Sequence, residues 1–203
     1  MNELVNSYKF EDILLGETLS FEAGGECFSP RAVDRGTKAM LSVAVLARGM
    51  KVLDLGCGYG AVGVACARIA GQENVTMSDV DAGAAAYAKA NAARNGVPGA
   101  RVVISDGFYG IDETGYDIIL CNPPYQVDFK VPKHFIEKGF NRLKIGGRMY
   151  MVTKRLEWYK RKLIAVFGGV KIHRIDGYHV FVAIKTSASR ANASGKNEVT
   201  KNV

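Results

Sequence analysis

From Lys51 onward, short apolar runs rich in β-branched residues alternate with helical stretches that a glycine or an Asn-Gly pair brings to a stop. Residues 52–55, 75–78, 101–105, 117–121 and 148–153 read as strands. Residues 61–70, 82–95, 132–143 and 155–167 read as helices. Parallel neighbours need a long crossover between them, and a helix is the usual one. The alternation therefore implies an α/β chain with a mostly parallel sheet covered on both faces. At the end, Asp176-Gly177 alone separates runs at 170–174 and 178–184, which predicts an antiparallel hairpin.

The preceding residues read differently. Short strands are expected around residues 8–10 and 19–21. Ser29-Pro30 suggests an N-cap with proline at the first helical position, and residues 34–48 read as a helix stopped by Gly49. Residues 1–48 would thus cap a core spanning 49–185, within the same domain. Residues 186–203 are small and polar and are expected to be disordered.

A chain of 203 residues supports one well-buried core. No apolar run reaches the ~20 residues that span a bilayer. Residues 1–6 lack the basic and apolar regions of a secretory signal, so the cytoplasm is the expected setting. Cys27, Cys57, Cys66 and Cys121 show no CxxC spacing, and with three scattered histidines they form no metal signature. Charge is unevenly placed. Residues 1–128 hold 10 Lys/Arg against 16 Asp/Glu, whereas residues 129–203 hold 17 against 4. The second half suits a polyanionic partner, or is simply a solvated basic face.

Asn122-Pro123-Pro124-Tyr125 directly follows the apolar run at 117–121. Two prolines end sheet pairing, and the residue before a proline is held extended. A stiff polar tip results at the C-terminal end of a strand, where open α/β sheets bind ligands. An amide oxygen and a proline carbonyl can accept from an –NH2 group, and the ring of Tyr125 can stack on a planar system.

Asp54-Leu55-Gly56-Cys57-Gly58-Tyr59-Gly60 lies between a strand and a helix. Gly58 to Gly63 also matches GxGxxG, and Asp79 sits near the offset of a ribose-binding acid, so a nicotinamide dehydrogenase competes. Against it, Asp54 suits a cationic group better than a pyrophosphate. The length leaves no room for a substrate domain, and Asn122-Pro123-Pro124-Tyr125 has no part in hydride transfer.

Together the glycine turn, Asp79, Ser105-Asp106 and the Asn122 tetrapeptide resemble class I S-adenosylmethionine-dependent methyltransferases. Residues 28–37, Phe-Ser-Pro-Arg-Ala-Val-Asp-Arg-Gly-Thr, and the closing hairpin resemble the small methyltransferase domain of ribosomal-RNA guanine-N2 enzymes. The likeness covers residues 8–185. It implies a Rossmann-like, doubly wound, mostly parallel seven-stranded sheet with a C-terminal antiparallel hairpin. It also implies that Asp54 and the backbone of Gly56, Cys57, Gly58 and Gly60 face the methionine moiety of S-adenosylmethionine. Asp79 would accept both ribose hydroxyls, with Val80 against the adenine and Asp106 at its amine. Phe28, Gly36 and Thr37 would close the methionine end. Asn122, Pro123, Pro124 and Tyr125 would be the catalytic tip, needing no metal.

The implied chemistry is in-line displacement at the sulfonium carbon. The Asn122 side-chain oxygen and the Pro123 carbonyl would free the conjugated lone pair of the acceptor amine and disperse its growing charge. His134 is expected on a helix as a surface residue, and His173 and His179 on the terminal strands away from the tip. Lys154, Arg155, Trp158, Arg161 and Lys162 cluster on one helical arc, with Lys130 and Lys133 nearby, and read as a surface for ribosomal RNA or a ribosomal subunit, with Trp158 exposed. Adenine-N6 and protein-glutamine-N5 methyltransferases share the tetrapeptide and stay open as alternatives, as does a non-catalytic RNA-binding module.

Overall fold

A computed structural model describes residues 6–123 and 128–187. Pro124 and Tyr125 of the polar tip, and residues 188–203 of the expected disordered tail, lie outside the described residues. In chain order the elements are strands β1 (Ser7–Leu14) and β2 (Glu17–Gly24), helix α1 (Arg35–Val43), β3 (Val52–Leu55), α2 (Ala61–Ala70), β4 (Val75–Asp79), α3 (Ala82–Arg94), β5 (Arg101–Ile104), β6 (Tyr116–Cys121), α4 (Lys130–Arg142), β7 (Leu143–Thr153), α5 (Glu157–Phe167), β8 (Lys171–Ile175) and β9 (Tyr178–Ile184).

Seven strands form one sheet in the order β5-β4-β3-β6-β7-β9-β8, parallel from β5 to β7 and antiparallel beyond. Asp176 and Gly177 both take positive φ, 50° and 78°, the pair a two-residue hairpin turn requires. From β3 the chain first builds outward to β4 and β5, then returns to place β6 on the other side. That reversal between β3 and β6 is the switch point at which a crevice opens.

Alternate residues of the central strands enter two separate cores. Val52, Ile118, Leu120, Tyr150, Val152 and Val180 face α1, α2 and the β1–β2 hairpin. Leu53, Leu55, Ile119, Cys121, Met149, Met151 and Phe181 face α4 and α5. This two-sided burial explains why the strands read as continuous apolar runs.

Strands β1 and β2 make a hairpin of their own, in register from Ser7↔Gly24 to Leu14↔Glu17. Each is longer than the sequence suggested. The edge of β2 is closed by α3. The Asn95 side chain accepts from Ser20 N at 2.9 Å and donates to Ser20 O at 2.8 Å. The Asn91 side chain likewise accepts from Glu22 N at 2.9 Å and donates to Glu22 O at 2.8 Å, and it also donates to Tyr59 O at 2.9 Å.

Several expectations need correction. The first helix starts at Arg35, capped by Asp34 rather than Ser29, whose φ is 53° and whose hydroxyl donates to Ala32 O at 2.7 Å. It stops at Val43, not Arg48. Ala44 is extended, and the N–H of Val45 donates to the Tyr150 hydroxyl at 3.2 Å instead of to a helical carbonyl. Helix α4 begins two residues before Pro132 and ends at Arg142. Gly146-Gly147 does not stop it but lies within β7, where the register against β6 shifts and Gly146 takes a φ of 84°. Helix α5 begins at Glu157, leaving Arg155 in the preceding loop.

Asn91→Leu should cost ~2–3 kcal/mol, because buried backbone groups of β2 and the glycine turn lose their partner. Urea unfolding is the measurement. A stability unchanged within error would mean that the hairpin is held by apolar contact alone.

Candidate active site

The C-terminal ends of β3 to β6, together with segment 26–37, enclose a cavity of about 390 Å³, a size suited to a small-molecule ligand. Six carboxylates line it: Glu26, Asp34, Asp54, Asp79, Asp81 and Asp106. Among the described residues, no lysine or arginine does. In a protein of net charge +7, this cavity is a local well for a cation. A pyrophosphate would meet repulsion, which removes support for a nicotinamide dinucleotide.

The glycine turn after β3 owes its composition to backbone conformation. Gly56, Gly58 and Gly60 have φ of 75°, 54° and 88°, in the left-handed region that side chains disfavour. Gly56 N and Cys57 N both donate to Ser78 O at 2.8 Å, and Gly58 N donates to Asp79 Oδ2 at 2.7 Å. Asp79 Oδ1 accepts from Asp81 N at 3.0 Å. Asp79 thus orders the turn with one lone pair on each oxygen and can accept further hydrogen bonds with the others. Val80 beside it is 66% exposed. Gly63 has a different reason: a Cβ there would lie 2.1 Å from Met77 Cγ, so the glycine lets α2 lie close on β4. Gly56, Cys57 and Gly58 line the cavity, whereas Gly60 caps α2 and does not.

Asp54 forms the floor, only 3% exposed, its Oδ2 accepting from Gly63 N at 2.8 Å. Burial pushes its pKa from 3.8 up to about 7, and the negative charge of Asp79 adds to the rise while the Gly63 hydrogen bond opposes it.

At the tip, the Asn122 Nδ2 donates to Asp34 Oδ2 and to Thr37 Oγ1, each at 3.0 Å. Its Oδ1 is buried and, among the described residues, has no partner. Asn122 and the buried Pro123 both line the cavity. A buried carboxamide oxygen without a donor is costly.

Of the other residues singled out from the sequence, Phe28, Thr37, Val80 and Asp106 line the cavity. Gly36 does not. A Cβ there would lie 2.8 Å from both Asp34 Oδ2 and Tyr178 Cε1, so it serves the packing of α1 against β9. Sequence reasoning gave no role to Asp34, although the spacing of Asp34 and Thr37 at a helix start was a capping signal. It also missed Val131 and Phe135, neighbours at i and i+4 on α4 that wall the cavity.

The basic surface is only partly brought together. Lys154 and Arg155 leave the sheet edge next to Asn122. The Lys154 ammonium lies 5.0 Å from the Tyr178 ring centre, and the Arg155 guanidinium 5.1 Å from that of Phe129. Trp158 is not the exposed ring expected. It is half-buried, stacked on Phe129 at 4.5 Å and edge-on to Tyr159 at 5.1 Å. Phe129 comes from the segment before α4, a contact no helical wheel contains. Lys162 bridges to Glu137 on α4, and Lys130 pairs with Asp128 at 3.5 Å. Lys133 and Arg161 are exposed.

Two histidines also need correction. His134 stacks on Tyr109 at 5.8 Å, and its ring lies behind Gly107 in the cavity wall. His179 pairs with Thr153, which places it on the same sheet edge as the tip because β9 runs antiparallel.

A family model described as methyltransferase small domain matches residues 18–182. A ribosomal RNA small subunit methyltransferase C of Sodalis glossinidius is 31% identical over 183 residues, covering 88% of this chain and 50% of that protein. An uncharacterized protein of Bacillus subtilis is 28% identical over 178 residues, covering 85% of this chain and 89% of that one. The solved 16S rRNA N2 G1207 methyltransferase of T. thermophilus, in complex with AdoMet and guanosine, aligns with a TM-score of 0.80 at 26% identity. That alignment covers 88% of this chain and 50% of that chain. The chain spans about half the length of the curated ribosomal-RNA relatives it matches.

The raised pKa of Asp54 makes a signed prediction. The folded state holds the proton more tightly than the unfolded one. This contribution favours folding at low pH and is lost as pH rises from 3.8 to about 7. Asp54→Asn should therefore melt above the parent at pH 8 and at the same temperature near pH 4, while losing affinity for a sulfonium ligand. Melting curves at both pH values and calorimetry with S-adenosylmethionine test it. An equal offset at both pH values would contradict the assignment.

Proposed function

The chain belongs to the methyltransferase small domain family, and from that premise we propose that it transfers the methyl group of S-adenosylmethionine to the N2 amine of a guanine in ribosomal RNA. The observation that carries this reading is the buried, unpartnered Oδ1 of Asn122, a residue in the wall of a cavity lined by carboxylates. One feature calls for an N–H donor and the other for a cation, and methyl transfer from a sulfonium to an amine brings both to one place.

The roles follow from position. Asp54 and the turn at Gly56–Gly58 receive the charged methionine end. Asp79 accepts from the ribose, Val80 covers one face of the adenine, and Asp106 lies at the open end where its amine would sit. Asn122 Oδ1 and the Pro123 carbonyl take the two hydrogens of the acceptor amine and draw its lone pair out of conjugation. Positive charge grows on that nitrogen in the transition state, so the two acceptors stabilise it more strongly there than in the ground state. The methylated amine then loses a proton to water.

For the acceptor, support comes from the T. thermophilus relative, whose name gives guanine N2 of 16S rRNA, and from Lys154 and Arg155 on the sheet edge beside Asn122. A base must be unstacked to reach the pocket. The cytoplasm, where ribosomal RNA is assembled, is the proposed setting.

Tritiated-methyl transfer to ribosomal RNA, ribosomal subunits and a release factor, followed by nucleoside analysis, tests the reading. N2-methylguanosine is the expected product. Label in N6-methyladenosine or in protein would replace it, and absence of both label and cofactor binding would indicate a non-catalytic module. Asn122→Ala should lower turnover by ~100-fold or more with little change in cofactor affinity. Replacing Lys154 and Arg155 together by alanine should weaken RNA binding and reduce the slope of log affinity against log salt by about 2. An unchanged slope would take these two side chains off the phosphate backbone.

A further inference from the structure

A carboxamide can enter its site in two orientations related by a half-turn. Only one of them lets Asn122 accept from an amine; the other would present an –NH2 group to an –NH2 group. The choice is made by two other residues of the cavity wall. Both hydrogens of Asn122 Nδ2 are engaged, one by Asp34 Oδ2 and one by Thr37 Oγ1, at 3.0 Å each. An ionised carboxylate has no hydrogen to give, so it admits the –NH2 end and rejects the oxygen.

We propose that Asp34, assisted by Thr37, is a positioning residue that fixes the Asn122 carboxamide with Oδ1 toward the acceptor amine and polarises that oxygen as positive charge develops. The inference rests on the reading of Asn122 as the amine acceptor. Hydrogen bonding to an anion at one end of an amide draws electron density to the oxygen at the other, because linked hydrogen bonds polarise one another. The attraction grows as the nitrogen becomes cationic, so it acts on turnover rather than on substrate binding.

Asp34 is itself held from two further directions. Its Oδ2 accepts from Thr37 N at 3.1 Å, which caps α1. Its Oδ1 accepts from the Tyr178 hydroxyl at 3.5 Å. Gly36 allows that second contact, since any side chain there would collide with the Tyr178 ring. The segment before α1 and the start of β9, 144 residues apart in sequence, thus meet at one carboxylate behind the reacting group.

Asp34→Asn is the informative variant, because asparagine caps a helix as well as aspartate and the fold is kept. Because Asp34 is also one of the cavity's carboxylates, S-adenosylmethionine affinity by calorimetry should fall by less than kcat does, and acceptor KM should stay within about 3-fold of the parent. The kcat should fall by roughly 10–100-fold, the range found when partners that orient a ligating side chain are removed. Thr37→Val should lower kcat as well, and Thr37→Ser should recover most of that loss. The second readout needs no substrate: the side-chain NH2 resonances of Asn122, assigned by their disappearance in Asn122→Ala, should shift upfield in Asp34→Asn. Parental kcat in Asp34→Asn, or unmoved Asn122 resonances, would overturn the proposal. Nucleoside analysis of the same reactions separates the two readings. Label on an amine other than guanine N2, with the kcat loss intact, refutes the guanine assignment and leaves the role of Asp34 standing.

Discussion

The Asn91 carboxamide joins pieces of chain that share no sheet. A two-stranded hairpin is marginal alone, and β1–β2 has no strand neighbour among the described residues. Helix α3 supplies one in another form. Asn91 and Asn95 are four residues apart, about 6 Å along a helix axis. Ser20 and Glu22 are two apart, about 6.6–6.8 Å along a strand. The two repeats nearly coincide, so successive side-chain amides meet successive outward-facing backbone pairs of β2. Asn91 also reaches Tyr59 O in the glycine turn. The N-terminal hairpin and the ligand turn are therefore set by one buried side chain, and segment 26–37 inherits its position over the cavity.

The cavity works through a conflict between burial and charge. Asp54 is almost wholly buried at the cavity floor, and desolvation pushes its pKa up. The hydrogen bond from Gly63 at the first turn of α2 works the other way. At neutral pH these opposing effects leave the carboxyl near its midpoint, and a cation in the cavity tips it to the charged form. Asp79 is half-buried and accepts from two backbone N–H groups. Two aspartates in adjacent strands thus sit differently: one is almost wholly buried with one backbone donor, the other half-buried with two.

At the tip, capping a helix and orienting an amide fall to the same residue. Asp34 satisfies an N–H of α1, whose positive end favours a carboxylate there. The anion so stabilised is what the Asn122 –NH2 group donates to. The strand that supplies Asn122 and the helix that supplies Asp34 belong to distant parts of the chain, so the tip is completed only when α1 docks against β7 and β9.

Much of the core was legible. The two-sided burial of β6 and β7 appears in the sequence as the apolar runs at 118–121 and 149–152, and that of β3 as Val-Leu-Asp-Leu. The positive φ values of the glycine turn appear as glycines, and the final hairpin appears as Asp-Gly. What stayed hidden depends on partners far away in sequence. The helical reading of residues 44–48 failed because Tyr150 takes the Val45 N–H. Trp158 looked exposed because Phe129, which covers it, is not on its helix. The sequence by itself determined the element types, their mostly parallel arrangement and the sheet edge at which the cavity opens, since periodicity, glycine and proline act on the local backbone. Only the tertiary structure decided which way the Asn122 amide faces and which carboxylates line one cavity, since these depend on side chains brought together from the ends of four strands and from segment 26–37.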